Sequence, residues 1–455
     1  MEMILEFLRD ILSQPALLIG IMSCVGLIAL KRPFHKIMTG TLKPILGYLM
    51  LAAGAGVIVS NLDPLGKMIE HGFHITGVVP NNEAIVAVAQ KVLGVETMSI
   101  LVVGLLMNLL IARFTKFKYV FLTGHHSLFM ACLMSAVLGT AGLSGIELIL
   151  VGGFLMGAWS AISPAIGQSY TSKVTDGDEI ALGHFGSLGY YLSAWVAKYV
   201  GKAEESTEDI EIPEKWGFLR DSTLSTALTM IVFYLIAAIA AGSEFVATLS
   251  GSMSPYLFAI MSAMNFAVGV AIVYSGVRMI LGDLIPAFQG IATKIIPNAI
   301  PAVDCAVFFT YAPTAVVLGF ISSFIGGIIG MLILGAVGGV LIIPGLVPHF
   351  FCGATAGIYG NATGGRRGAA VGAFLNGLAI TFLPALALPV LGQLGFQNTT
   401  FGDADFAVMG LVLGNAFEWI GMAGIYGVVV IAALVLIIPN FIKTKGKVIN
   451  YVEEE

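Results

Sequence analysis

Long apolar stretches separated by short polar or basic turns dominate the chain. A helix needs roughly 20 apolar residues to cross a bilayer. On that measure the pattern predicts crossings at Leu12–Leu30, Pro44–Ser60, Met98–Ala112, Tyr119–Leu138 and Ile146–Ile162. Further crossings are expected at Leu224–Ala241, Pro255–Val277, Thr314–Leu334, Val340–Ile358 and Ala369–Val390, with a last one within Phe406–Ile438. The count is about 11 helices, an all-α polytopic membrane protein. Three stretches break the pattern: Asn61–Thr97, Ser163–Gly201 and Gly282–Pro313. They mix Pro, Gly and polar residues with short apolar runs. Such segments are expected to be re-entrant or broken helices, tolerated at membrane depth where protein or a water-filled cavity surrounds them.

Composition agrees. Of 455 residues, 57% are hydrophobic and 11% charged, and mean hydropathy is +0.94. A soluble domain carries about 25% charged residues. The 56 glycines suit close helix approach in a membrane. Cys24, Cys132, Cys305 and Cys352 lie in apolar runs without CxxC spacing and read as small buried hydrophobes. A pI near 5.8 and the lack of a long basic block point away from nucleic acid. The first apolar run has no cleavage-site pattern and reads as a first span.

Positive charge orients the chain. Lys31, Arg32, Lys36 and Lys43, then Arg113, Lys116 and Lys118, then Arg366–Arg367, then Lys443, Lys445 and Lys447 mark the expected cytoplasmic side. The amino terminus is then outside and the carboxyl terminus inside. The acidic run Lys202–Asp221 reads as a solvated cytoplasmic linker.

Landmarks recur about 222 positions apart: Pro64 with Pro286, Glu83 with Asp304, Thr97 with Pro313–Thr314, His126 with His349. Five crossings per half force the second half to run in the opposite sense. The expected division is a first membrane repeat (1–201), the linker (202–221), a second repeat (222–391), and an external loop, last helix and tail (392–455). Inverted repeats with broken segments at matching places typify transporters, with the site between the halves.

An acid in such surroundings is costly unless paired, hydrated or used. Asp304 in PNAIPAVDCAVFFTYAPT and Glu83 in PNNEAIVAVAQ are therefore the leading candidates, as hydroxyl acceptors or cation-coupling groups. His125 and His184 suit hydrogen bonding to a polar ligand, with His126 and His349 secondary. No HxH or HExxH spacing is present, so a metal site is not expected. Asn82, Gln168, Ser169, Thr355, Tyr359 and Asn361 are polar groups suited to a hydroxyl cage or to capping helix ends. The glycines from Gly353 to Gly365 suggest close packing or a bend. No phosphate-binding loop is present, so no nucleotide cofactor is expected.

Several motifs carry a resemblance: FLTGHHSLF (Phe121–Phe129), KVTDGDEIALGHF (Lys173–Phe185), EESTEDIEIPEKW (Glu204–Trp216), GVRM (Gly276–Met279), AIPAVDCAVFFTYAPTAVVLGF (Ala299–Phe320) and IIPGLVPHFF (Ile342–Phe351). Together the chain resembles component IIC, the membrane subunit, of the bacterial ascorbate-specific phosphotransferase system. The resemblance implies import of L-ascorbate across the inner membrane and its delivery to a phosphorylated IIB partner, charged through IIA. It also implies a homodimer whose scaffold and mobile core, interleaved across both repeats, move like an elevator. It places the ligand near Asn82, Glu83, His125, Phe129, His184, Phe185 and Asp304, with Gln168 in support. Phe129 and Phe185 stand where some members carry amides, and Asn82–Glu83 where others carry Thr–Tyr. A related polyol is thus the nearest other ligand, and ion-coupled secondary transport or a channel the other mechanisms.

Overall fold

The computed structural model describes residues 14–74, 77, 78, 80, 82–177, 179–210, 222–392 and 400–442. Apolar sequence with no water to serve its backbone must close its own hydrogen bonds, and a helix does so within one segment. The chain accordingly builds α1 (Pro15–Ala29), α2 (Phe34–Phe73), α3 (Asn82–Phe114), α4 (Gly124–Thr140), α5 (Gly145–Thr175) and α6 (Ser187–Val200). Beyond the linker come α7 (Ser222–Ala241), α8 (Ser243–Ser250), α9 (Pro255–Lys294), α10 (Pro313–Ala336), α11 (Leu346–Gly392), α12 (Ala404–Ile420) and α13 (Met422–Phe441). Among the described residues seven helices are long and apolar enough to cross a membrane, or eight if the sharply bent α7–α8 pair is one span. The protein is an all-α, multi-pass membrane protein.

Some boundaries differ from those expected. α2 runs on through Pro64 to Phe73, its outer turn carrying an Asp63–Lys67 ion pair of 2.8 Å. α9 likewise runs through Pro286 to Lys294. Each proline removes one donor without ending the helix, so the true breaks come later than composition suggests. Tyr119–Leu138 is not one helix, because Tyr119–Phe121 forms a strand and the helix starts at Gly124. Phe406–Ile438 holds two helices that meet at Gly421, whose φ of 63° suits glycine.

α11 is a hairpin. Its helical geometry fails at Gly364 and Gly365. Gly360 and Gly368 then approach so closely that a Cβ on either would lie 2.4 Å from the other's carbonyl oxygen. Eight residues of straight helix would separate them by about 12 Å. The arms overlap the expected runs Val340–Ile358 and Ala369–Val390, but the first begins only at Leu346, residues 340–345 being non-helical, and Arg366–Arg367 lie at the tip.

The helices pack as two bundles. α1, α2, α7 and α9 form one, while α3–α6 and α10–α13 form the other, with sparse helix contacts between them. At the heart of the first bundle α2 and α9, each 40 residues long, cross antiparallel. Gly47 meets Gly276 and Gly54 meets Gly269, and a Cβ on Gly47 or Gly54 would fall 2.8 or 2.7 Å from the opposing carbonyl oxygen. Equivalent positions are 222 apart (269 − 47 and 276 − 54). Each glycine therefore meets the counterpart of the other, which is the contact pattern of two copies related by a two-fold axis.

Within the second bundle three short strands form a parallel sheet in the order β1 (Tyr119–Phe121), β3 (Ile300–Val303), β2 (Ala181–Leu182). Its polar backbone is satisfied by strand pairing where helix geometry stops.

Candidate functional site

The parallel sheet delivers three side chains to one place. β3 leads into Asp304, β2 through Gly183 into His184, and β1 through Thr123 into His125. Gly183 permits the approach, since a Cβ there would lie 2.4 Å from the carbonyl oxygen of Ala302. Asp304 caps a 3₁₀ turn (Cys305–Thr310), its Oδ1 accepting from the Ala306 N–H at 3.1 Å. Its Oδ2 lies 3.4 Å from His125 Nε2. His125 Nδ1 meets the hydroxyl of Tyr48 on α2 at 3.2 Å, a bond from one bundle to the other.

Two further imidazoles have fixed tautomers. The Phe185 N–H donates to His126 Nδ1 at 3.3 Å, and the Gly186 N–H donates to His184 Nδ1 at 3.1 Å. A backbone N–H can only donate, so both rings accept at Nδ1 and carry their proton on Nε2. Tyr190 donates to the same His184 nitrogen at 2.9 Å. His126, His184 and Asp403, and likewise His184, Asp304 and Cys305, bring their ligand atoms within 4.8 Å of one another. A metal-bound imidazole normally donates from its second nitrogen. Here that nitrogen accepts, so both rings offer hydrogen-bond donors and suit a hydroxylated ligand better than a cation.

These groups line a cavity of about 690 Å³ between the bundles. Its deep end carries Asn82, His125, His126, His184, Asp304 and Asp403. One wall is the face of α2 from Tyr48 through Ala55, Val59 and Leu62 to Asp63, Lys67 and Glu70. The cavity thus passes from a polar floor along apolar helix to charged residues on an exposed turn.

The residues expected from sequence divide clearly. Asp304, His125, His184, Asn82, Phe129 and His126 line the cavity. Asn82 donates to Asp403 Oδ2 at 2.6 Å and accepts from the Gly402 N–H. Phe129 stands edge-on to His125, with ring centroids 5.9 Å apart. Phe185 is fully buried among Phe121 and Phe406 instead. Gln168 is also fully buried and donates to the Ile180 carbonyl, tying down the turn before β2. The side chain of Glu83 lies outside the described residues. His349 bonds Ser323, Thr355 bonds the Phe351 carbonyl, and Tyr359 bonds Thr171. Asn361 accepts from the Thr207 N–H and so anchors the linker. Sequence reasoning missed Tyr48, Cys352 and Asp403. Tyr48 looks like any aromatic in an apolar run, whereas Asp403 sits in GDAD, a second acid-bearing break that the 222-residue offset reaches if carried past residue 391.

One curated relative is the ascorbate-specific PTS system EIIC component of Mycoplasma pneumoniae (strain ATCC 29342 / M129 / Subtype 1), 26% identical over 417 residues. The match covers 78% of this chain, and the chain spans 62% of that relative's length. The family model EIIC-GAT, described as the PTS system sugar-specific permease component, matches residues 10–405, including both halves of the cavity. The chain belongs to that EIIC-GAT permease family.

Proposed function

We propose that the chain imports L-ascorbate across the bacterial inner membrane and delivers it to a phosphorylated IIB component, itself charged by IIA. The observation that carries this reading is the floor of the cavity. A polyol or sugar lactone loses water on entering and needs both acceptors and donors in return. Asp304 supplies the acceptor, while His126 and His184 supply N–H donors. Family membership and the relative's ascorbate specificity support the choice of ligand. A related polyol is the alternative, favoured by Phe129 on the wall.

The mechanism follows from the two bundles. Substrate enters along α2 and binds at the far wall; that bundle then shifts past α2 and α9, and phosphorylation by IIB prevents return. Tyr48–His125 is the bond that such a shift must break. The sparse contacts between bundles support an elevator-type displacement. The carrier cysteine belongs to the partner, and Cys305 and Cys352 serve as small groups in the cavity wall. A homodimer, with the amino terminus outside and the carboxyl terminus inside, completes the proposal. The symmetric crossing of α2 and α9 supports inverted repeats.

Uptake of labelled L-ascorbate in cells with and without functional IIB tests the reading. The expected result is accumulation of phosphorylated ascorbate only with IIB. Gradient-driven accumulation of unmodified ascorbate would replace it with ion-coupled transport. Preferential accumulation of galactitol would move the substrate to the polyols.

A further inference from the structure

The sheet β1–β3–β2 has a counterpart made of isolated pairings. Val78 pairs in parallel with Ile342, and Pro80 with Thr400. The central segment 78–80 corresponds to β3 by the 222-residue offset (300 − 78 and 302 − 80). Ile342 lies 223 after Tyr119 (342 − 119), and Thr400 lies 219 after Ala181 (400 − 181). Each central segment comes from one half of the chain and its flanking partners from the other. Residues that follow the segments correspond too: Asn82 to Asp304 (304 − 82 = 222) and Asp403 to His184 (403 − 184 = 219). The two sets meet on one cavity floor, where Asp403 Oδ1 lies 3.8 Å from His184 Nδ1.

Asp403 differs from its neighbour Asp405. Asp405 is fully buried and accepts from Trp159, Ser187 and the Leu188 N–H, three good donors that occupy it in holding the start of α6. Asp403 is 5% exposed and lines the cavity. Its Oδ2 accepts from Asn82 at 2.6 Å, and among the described residues its Oδ1 accepts only the weak Cys352 thiol at 3.0 Å. A carboxylate offers about four acceptor positions. Such a group, desolvated and facing a cavity, is costly unless a ligand completes it.

We infer that Asp403 is a second substrate-binding carboxylate, accepting a hydroxyl of the ligand at a point separate from Asp304. The inference rests on the transport reading and narrows the ligand to a polyhydroxy compound with at least two hydroxyl donors. For L-ascorbate, whose side chain carries two hydroxyls, those hydroxyls are the donors assigned to Asp403.

The test is binding to purified, detergent-solubilised protein, comparing the unmodified chain with Asp403→Asn and Asp403→Glu. The probes are L-ascorbate, 6-deoxy-L-ascorbate, galactitol and 1-deoxygalactitol, and melting temperature reports folding. A site built to bond a hydroxyl rejects the analogue that lacks it. The unmodified protein is expected to bind one full ligand at least about tenfold more tightly than its deoxy partner, and Asp403→Asn to abolish that preference by weakening the full ligand alone. Asp403→Glu keeps the acceptor and is expected to retain part of the preference. Equal weakening of both members of a pair would make Asp403 merely structural, and unchanged affinities would remove it from the site. Preference for galactitol with its discrimination lost in Asp403→Asn overturns the ascorbate reading while upholding the role of Asp403. No binding of any probe by the folded protein overturns both.

Discussion

Asp304, Asp403 and Tyr48 touch the same cavity, yet only the first stands out in the sequence. A lone acid between prolines and aromatics is conspicuous because charge is scarce in an apolar chain. Tyr48 lies in an apolar run and shows its role only when α4 brings His125 to within 3.2 Å. Gln168 and Asn361 are conspicuous in the same way, yet they bond a strand turn and a linker. Most buried polar groups find partners within the fold, so polarity alone does not separate ligand contacts from backbone anchors. Asp304→Asn loses the charged acceptor facing His125 and is expected to cut ascorbate uptake at low substrate by at least about tenfold, at unchanged membrane abundance. Unchanged uptake would remove Asp304 from the site. Tyr48→Phe loses one partly buried bond, and its KM is expected to rise by about two- to tenfold. A KM equal to that of the unmodified chain would show the Tyr48–His125 contact to be incidental.

Most helices were legible as apolar runs, because a membrane imposes hydropathy on any segment that crosses it. The short strands were not. Tyr119–Phe121 and Ile300–Val303 are as apolar as the helices beside them, and they become strands through partners 181 residues apart in sequence (300 − 119). The α2–α9 crossing was not legible, since a recurrence of landmarks about 222 positions apart does not say which helices touch; the glycines account for the contact, because any side chain at Gly54 or Gly269 would collide with the opposite backbone. Small residues at such crossings provide packing that lipid cannot replace. Gly54→Val and Gly269→Val are each expected to lower the melting temperature of the detergent-solubilised protein, by an amount corresponding to about 1–3 kcal/mol. Because both widen one contact, the double variant is expected to lose less than the sum. Strict additivity of the two melting shifts would refute the idea that these positions share a contact.

The cavity gives the molecule a direction. Its polar floor lies beside Tyr48, about 14 residues into α2, and its rim is at Asp63, Lys67 and Glu70 on the outer turns of the same helix. At 1.5 Å per residue the floor is about 21 Å from the start of α2, near mid-bilayer if that start lies at one membrane face. Phe34 follows the basic turn Lys31–Arg32, which charge bias assigns to the cytoplasm, so in the proposed orientation the rim opens outward. The tip of the α11 hairpin is tied to the linker by the Arg366 N–H bonding the Glu205 carbonyl, and both carry the expected cytoplasmic signature. Cysteines introduced one at a time in a Cys24→Ser background test this, with the parent chain, which keeps the buried Cys132, Cys305 and Cys352, as the blank to be subtracted. A membrane-impermeant maleimide added outside is expected to label Lys67→Cys at the rim and Val59→Cys on the cavity wall, but not the exposed tip variant Arg367→Cys. L-ascorbate at about ten times its Kd is expected to slow labelling of Val59→Cys roughly tenfold if the bound state closes the path, and to leave Lys67→Cys unchanged. Labelling of Arg367→Cys alone would invert the molecule in the membrane and make the described cavity the exit to IIB.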